Sequence, residues 1–212
     1  MGEPIPLSFA VIGCSAIAPS HIMALKRIPG VDVTHIYSRS IERANAFASR
    51  FDLIPCCDSK QIFGNSTIDA VVVATDPARH SDYGCEAMNS GKHVLIEKPL
   101  ALDLDEGQRL VNLAKTSGVT TSVVSQYRYD DTVISVAKHL KVGRLGEPFL
   151  VKGSLIWTRD REYFNIGNGW RGNVADVLTN QGIHLLDIIL LFFGEPSSSA
   201  ITFSNVNSSV ST

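Results

Sequence analysis

The sequence has no apolar run long enough to cross a lipid bilayer. Its most apolar stretch, residues 183–193, is interrupted by His184 and Asp187, whereas a membrane-spanning helix needs about 20 consecutive apolar residues. A basic block is also missing, because 19 Lys and Arg are balanced by 21 Asp and Glu for a net charge of −2. Nucleic-acid-binding domains typically carry an excess of positive charge on one face. We therefore expect neither a membrane nor a nucleic acid among the partners.

The sequence also lacks the C-x-x-C spacing of cysteines and the pattern of a secretory leader. The cysteines at positions 14, 56, 57 and 85 show no C-x-x-C spacing, so we interpret them as reduced thiols. Residues 1–6 lack the positive and apolar segments of a secretory signal. Both observations favour a cytoplasmic protein.

Short apolar segments alternate with helical patterns through the first 124 residues. The predicted strands cover residues 7–12, 31–37, 51–57, 68–74, 94–96 and 119–124. A helix follows the first strand, and further helices are predicted over residues 41–50, 80–89 and 103–116. The alternation predicts an α/β fold with a doubly wound parallel sheet. The helix positions predicted to face inward are Ile22, Met23, Leu25, Leu110, Val111, Leu113 and Ala114.

After residue 124 the pattern changes. A helix over residues 132–140 is followed by a partly alternating strand over residues 149–157 and by an apolar helix over residues 180–193. We therefore predict two domains, residues 1–124 and a partial second domain of residues 125–212 with a more exposed sheet. The loop of residues 159–172 is rich in aromatic, charged and glycine residues, which is typical of ligand contacts; a plain connecting loop is the alternative.

The turn after the first strand is a degenerate dinucleotide-binding motif. Residues 13–18 read G-C-S-A-I-A, against the pattern G-x-G-x-x-G/A. Ser15 replaces the second glycine, and its hydroxyl can itself donate to a phosphate. The position between a first strand and a first helix favours the interpretation. The candidate cofactor contacts here are Gly13, Ser15, Ala16 and Ile17.

The ends of the second and fourth strands supply further candidates. Ser38, Arg39 and Ser40 offer two hydroxyls and a guanidinium group where an NAD site usually has a carboxylate, so we predict NADP in preference to NAD. The alternative is a solvated Arg39 that caps the next helix. Ala74 and Thr75 should line the cofactor at the same sheet edge. His80 is a weaker candidate, since it stands at a predicted helix start.

Glu97-Lys98-Pro99 follows the fifth strand. Pro99 restricts its own backbone and that of Lys98, so the lysine is presented at a defined angle at the sheet edge. An amine held there can donate to a substrate hydroxyl. A surface ion pair between Glu97 and Lys98 is the alternative.

Asn180, His184 and Asp187 have spacings of four and three, which place them on one face of an α-helix. An imidazole between an amide and a carboxylate can serve as a general base. A core histidine satisfied by Asp187 is the competing interpretation. With no second histidine nearby, the set gives little support to a metal site.

These motifs together resemble the Gfo/Idh/MocA family of NAD(P)-dependent sugar and cyclitol oxidoreductases. The resemblance rests on Glu97-Lys98-Pro99, on residues 91–94, on Tyr127-Arg128-Tyr129, on Trp170-Arg171-Gly172 and on residues 182–187. It implies an N-terminal Rossmann domain and a C-terminal α/β domain with an open mixed sheet that often mediates homo-oligomers.

The resemblance also implies roles for particular residues. Lys98 would polarise the reacting hydroxyl and His184 would remove its proton, while hydride passes between a sugar carbon and the nicotinamide. Glu97, Lys98 and Arg128 would contact the cofactor. Trp170, Arg171 and Asn180 would contact the substrate with Lys98 and His184.

The chain departs from the family in three places. Asn180 stands where an aspartate is common, residues 173–179 form a shortened run that could displace the helix of His184, and members are typically much longer than this chain. We therefore expect a fragment or a shortened gene product. The alternative functions are an inactive cofactor-binding regulator of the same fold and an NAD-dependent glycosidase.

Overall fold

A computed structural model describes residues 6–158, 160, 162–163 and 177–202. The chain divides into two units, Met1–Val124 and Ser125–Thr212. No helix in these described ranges is long and apolar enough to span a membrane.

Six parallel strands form the sheet of the first unit, in the order β3-β2-β1-β4-β5-β6. The strands are β1 (Leu7–Ile12), β2 (Val31–Tyr37), β3 (Ile54–Cys56), β4 (Ala70–Val73), β5 (His93–Ile96) and β6 (Thr121–Val123). The helices between them are α1 (Ala18–Leu25), α2 (Ile41–Phe51), α3 (Lys60–Phe63), α4 (His80–Asn89) and α5 (Leu104–Thr116). The strand order reverses between β1 and β4, and a reversal of this kind opens a ligand crevice at the carboxyl ends of the strands. The predicted α/β class with a doubly wound sheet is confirmed.

The sheet has a hydrophobic core on each face. Every residue of β4 is buried, and alternate residues serve opposite faces, since Val71 and Val73 belong to one cluster and Val72 to the other. This alternation is the period-two geometry of a strand covered on both sides. Full burial of one such valine contributes about 1.5–3 kcal/mol relative to exposure.

Element positions follow the sequence closely, but two inward assignments are wrong. The bounds of β1, β2 and α4 match the predicted ones, and Ile22 and Leu110 are buried as expected. Met23 is 47% exposed and Val111 is 40% exposed. Each directly follows the buried residue of its helix, and a rotation of about 100° per residue turns it away from the sheet.

The regular elements in the described part of the second unit are helices and helical turns. A 3-10 turn (Gln126–Tyr129) leads into α6 (Asp131–Lys141), and a π-helical turn (Leu178–Gly182) runs directly into α7 (Ile183–Phe193). The Asp130 carboxylate caps α6 by accepting from the N–H groups of Thr132 and Val133.

The strand predicted over residues 149–157 is not formed. This segment is neither strand nor helix, and among the described residues of the second unit there is no neighbouring strand with which it could pair. Without cross-strand hydrogen bonds an alternating pattern does not become a strand. Phe149 is 98% exposed and Ile156 is 88% exposed as a result.

A buried lysine fastens the amino-terminal edge of the sheet. Lys92 is 7% exposed, and its Nζ donates to the carbonyls of Asn65 and Ile68 at 2.6 and 2.7 Å. The ammonium group therefore joins the segment before β4 to the start of β5.

We predict that Lys92→Met lowers the free energy of unfolding by about 2–3 kcal/mol, because two buried carbonyls lose their charged donor. Urea denaturation of the full chain measures the change. The exposed Lys115 provides the control, since Lys115→Met should change stability by less than about 0.5 kcal/mol. Equal effects of the two substitutions would contradict this structural role.

Candidate active site

Gly13 brings the turn after β1 against the end of β4. Its φ is +110°, and a Cβ at this position would lie 2.7 Å from the Ala74 carbonyl oxygen and 3.0 Å from the Thr75 Cα. A side chain is therefore excluded both by backbone conformation and by space. The predicted candidates Gly13, Ala74 and Thr75 lie together at the carboxyl edge of the sheet.

The N-terminus of α1 has the features of an anion site. Among the described residues no side chain caps α1, and Pro19 in the first turn has no N–H. Ser15 Oγ is buried and has no hydrogen-bond partner within the part of the chain that the structure describes. The helix dipole favours a phosphate at such a terminus, and a phosphate oxygen would give the orphaned hydroxyl an acceptor. The turn therefore fits the pyrophosphate of a dinucleotide.

The segment after β2 departs from the predicted phosphate cradle. Ser40 Oγ accepts from the Arg43 N–H at 3.2 Å and donates to the Glu42 carboxylate at 2.6 Å. Ser40 is therefore the N-cap of α2, which removes its hydroxyl from the cradle and excludes Arg39 as the cap. Ser38 is buried, and its Oγ accepts from the Ser40 N–H at 3.3 Å.

Arg43 is a residue that the sequence analysis missed. Its guanidinium donates to the Cys14 carbonyl at 2.7 Å, so it joins α2 to the phosphate turn. Its position in the first turn of the helix that follows β2 was the available signal, since that turn begins at the carboxyl edge of the sheet.

His80 fastens two loops from inside the protein. It is 1% exposed, with Nδ1 2.7 Å from the Pro99 carbonyl and Nε2 3.3 Å from the Thr75 carbonyl. Burial lowers the pKa of His80 despite these contacts, so the neutral ring donates from Nδ1, the nitrogen with the shorter contact. The structure thus places this candidate against the backbone of the β4 and β5 loops.

Glu97 is buried and bound on both oxygens. Its Oε1 lies 2.7 Å from His21 Nε2, and its Oε2 accepts from the Lys98 N–H at 3.1 Å. Burial raises the pKa of Glu97, but the contacts with His21 and Lys98 together outweigh it and leave the pKa lowered. Glu97 is therefore a carboxylate whose hydrogen bonds are made inside the protein, and the surface ion pair is excluded. Lys98 is half-buried beside it.

In the second unit, two residues of α7 contact side chains of the 3-10 turn. Arg128 donates to both Asp187 oxygens, from Nε at 2.8 Å and from Nη2 at 2.6 Å. The half-buried His184 ring packs edge-on against Tyr127, with centroids 5.1 Å apart. The described partner of the Asp187 carboxylate is thus the Arg128 guanidinium, which uses two of its N–H groups for this contact.

Asn180 is buried and belongs to a different local geometry. It lies in the π-helical turn, whereas His184 lies in α7. Asn180 and Gln181 donate to the Tyr163 hydroxyl at 3.1 and 2.7 Å. Gln181 and Tyr163 carry no distinguishing spacing, and Tyr127 was noted only as part of the Tyr127-Arg128-Tyr129 motif, so none of the three was predicted as a site residue.

Two predicted substrate contacts, Trp170 and Arg171, lie outside the described residues. Within the described ranges no cluster of three His, Cys, Asp or Glu side chains could hold a metal ion.

The chain is similar to curated and structurally characterised oxidoreductases. It is 26% identical to D-apiose dehydrogenase of Paraburkholderia graminis over 95% of this chain and 53% of that protein. It is 32% identical to scyllo-inositol 2-dehydrogenase (NADP(+)) IolU of Bacillus subtilis over 65% of this chain and 42% of that protein. The chain thus spans about half the length of these relatives.

A solved structure shares the fold. The WlbA dehydrogenase of Bordetella pertussis, in complex with NADH and UDP-GlcNAcA, superposes with a TM-score of 0.84 and 28% identity, over 89% of this chain and 59% of that one. The model of an oxidoreductase family with an NAD-binding Rossmann fold matches residues 7–125. NAD or NADP is accordingly the cofactor class of this fold, and the chain belongs to the Gfo/Idh/MocA oxidoreductase family.

Proposed function

We propose that this protein is an oxidoreductase that transfers a hydride between NAD(P) and a hydroxyl-bearing carbon of a sugar, nucleotide sugar or cyclitol. The observation that carries the proposal is Lys98, a half-buried lysine two residues after β5, at the sheet edge where Gly13 and the N-terminus of α1 have the features of an anion site. Relatives that act on D-apiose and on scyllo-inositol support the substrate class.

The chain's own groups would hold the cofactor at two points. The turn at Gly13 and the first turn of α1 would receive the pyrophosphate, and Ala74 and Thr75 would line the crevice beside it. When bound, the nicotinamide supplies a carbon that accepts or returns hydride.

Lys98 is proposed to bind and polarise the reacting hydroxyl. The neighbouring Glu97 carboxylate favours its ammonium form, which is the better hydrogen-bond donor. His184 is proposed as the base that takes the hydroxyl proton, with Tyr127 holding its ring by an edge-on contact. Asn180, held by Tyr163, is proposed to contact the substrate. Fixed groups of this kind accelerate a reaction mainly by positioning.

NADP is proposed as the preferred cofactor because Arg39 follows the end of β2, where an NAD site usually has a carboxylate. Burial raises the pKa of Tyr83, whereas the Arg39 and Arg79 guanidinium groups lower it. Both guanidinium groups therefore lie near enough to the Tyr83 phenol to act on it. The Tyr83 hydroxyl lies 3.2 Å from that of Tyr37, at the end of β2. An arginine near this point favours a 2′-phosphate.

Arg39→Ala should weaken NADPH binding by about tenfold and NADH binding by less than about twofold, because only the former offers a phosphate to the guanidinium. Titration of nucleotide fluorescence measures both dissociation constants. Arg27→Ala, at an exposed position outside these strand ends, is the matched control. Equal losses for both nucleotides would refute the assignment.

Lys98→Ala and His184→Ala should each reduce turnover by at least about a hundredfold, since each removes an acid–base group. NADPH affinity should stay within about threefold of the native chain. A screen of polyols, sugars and nucleotide sugars, followed by absorbance at the nicotinamide band, provides the assay, with Lys115→Ala as the control.

Loss of NADPH affinity in both variants would contradict these roles. Nucleotide binding with no oxidation of any substrate would favour the regulatory alternative. Cleavage of a glycoside without net cofactor reduction would favour the glycosidase.

A further inference from the structure

A buried pair of side chains connects the phosphate-turn helix to the lysine segment. His21 lies in the first turn of α1, and its ring is 14% exposed, while the Glu97 side chain is 9% exposed. The contact of 2.7 Å between them spans 76 positions in the sequence. Two polar groups withdrawn from water at this distance form a charge-assisted hydrogen bond that fixes both side chains.

The second oxygen of Glu97 extends this connection to Lys98. Because Oε2 accepts from the Lys98 N–H at 3.1 Å, the carboxylate binds α1 on one side and the lysine backbone on the other. Among the described residues, the groups that act on the charge of Glu97 are His21 and Lys98, and Glu97 in turn acts on His80. The position of the lysine thus depends on a hydrogen bond made by a different element.

The charge of Glu97 depends on the same contact. Burial alone would favour the neutral acid, and the His21 hydrogen bond is the largest of the effects that oppose it. A carboxylate beside Lys98 favours the ammonium form of the amine, whereas a neutral acid would not.

We propose that His21 is a positioning residue for Lys98: by donating to Glu97 it keeps that carboxylate charged and in place, and the carboxylate fixes the backbone and the protonation of the lysine. The catalytic importance of this arrangement rests on the proposed oxidoreductase function. The hydrogen-bonded connection from His21 through Glu97 to Lys98 does not depend on that function. Through these hydrogen bonds α1, the helix proposed to receive the cofactor phosphates, also supports the proposed catalytic amine of Lys98.

The reactivity of the Lys98 amine tests the connection without a substrate. Trace labelling of the full chain with acetic anhydride at pH 8, followed by peptide mass spectrometry, gives the rate at Lys98 relative to the exposed Lys115. Loss of the neighbouring charge leaves more of the amine neutral and nucleophilic. We expect Glu97→Gln to raise the relative rate by about fivefold and His21→Leu to raise it by about threefold or more.

Two further variants separate positioning from general disturbance. His21→Gln retains a donor and should restore the rate to within about twofold of the native chain, and Met23→Leu, exposed on the same helix, should leave it unchanged. Because His21 acts through Glu97, the double variant His21→Leu/Glu97→Gln should match Glu97→Gln alone. If His21→Leu does not fold, His21→Asn, which is too short to reach the carboxylate, replaces it.

An unchanged rate in the folded His21 variant, or additive effects in the double variant, would overturn the proposal. These outcomes are independent of turnover: expected labelling in a chain that oxidises nothing would refute only the proposed function. Turnover with unaffected labelling would refute only the role of His21.

Discussion

The close approach of the β1 turn to the end of β4 is the constraint on which the site depends. Gly13 lies where any side chain would collide with the Ala74 carbonyl, so two strand ends that are distant in sequence meet without an intervening side chain. This contact sets the start of α1, and with it the position of His21. Glu97 and Lys98 then follow at the adjacent strand end. The turn before α1, the Glu97 carboxylate and Lys98 therefore lie at the same edge of the sheet.

The first unit was largely predictable because its signals are local. β1 and β2 occur at the predicted residues, and the uninterrupted apolar run of β4 indicated a strand with two covered faces. Parallel topology follows from strands separated by helices, and it brings all carboxyl ends to one edge. The sequence thus sufficed to select the edge, the turn at Gly13 and the lysine after β5 as candidates.

Other features depend on partners that no local pattern identifies. The hydroxyl of Ser40 was available to a ligand in sequence terms, but the unsatisfied N–H groups of α2 take it as a cap. Arg43 and His21 acquire their importance from a carbonyl and a carboxylate far along the chain. Long-range contacts of this kind are set by topology and packing rather than by spacing.

The two edges of the sheet are fastened by different chemistry. At the amino-terminal edge Lys92 donates to backbone carbonyls, which do not titrate. At the other, His80 is held neutral by burial and Glu97 is held ionised by its partners. Protonation of the buried imidazole is disfavoured in the fold, so its contribution falls as pH drops below the ordinary histidine range, and the carboxylate contribution is lost at still lower pH. Acid would therefore weaken these contacts at the ligand-binding rim, whereas the two contacts of Lys92 with backbone carbonyls would persist.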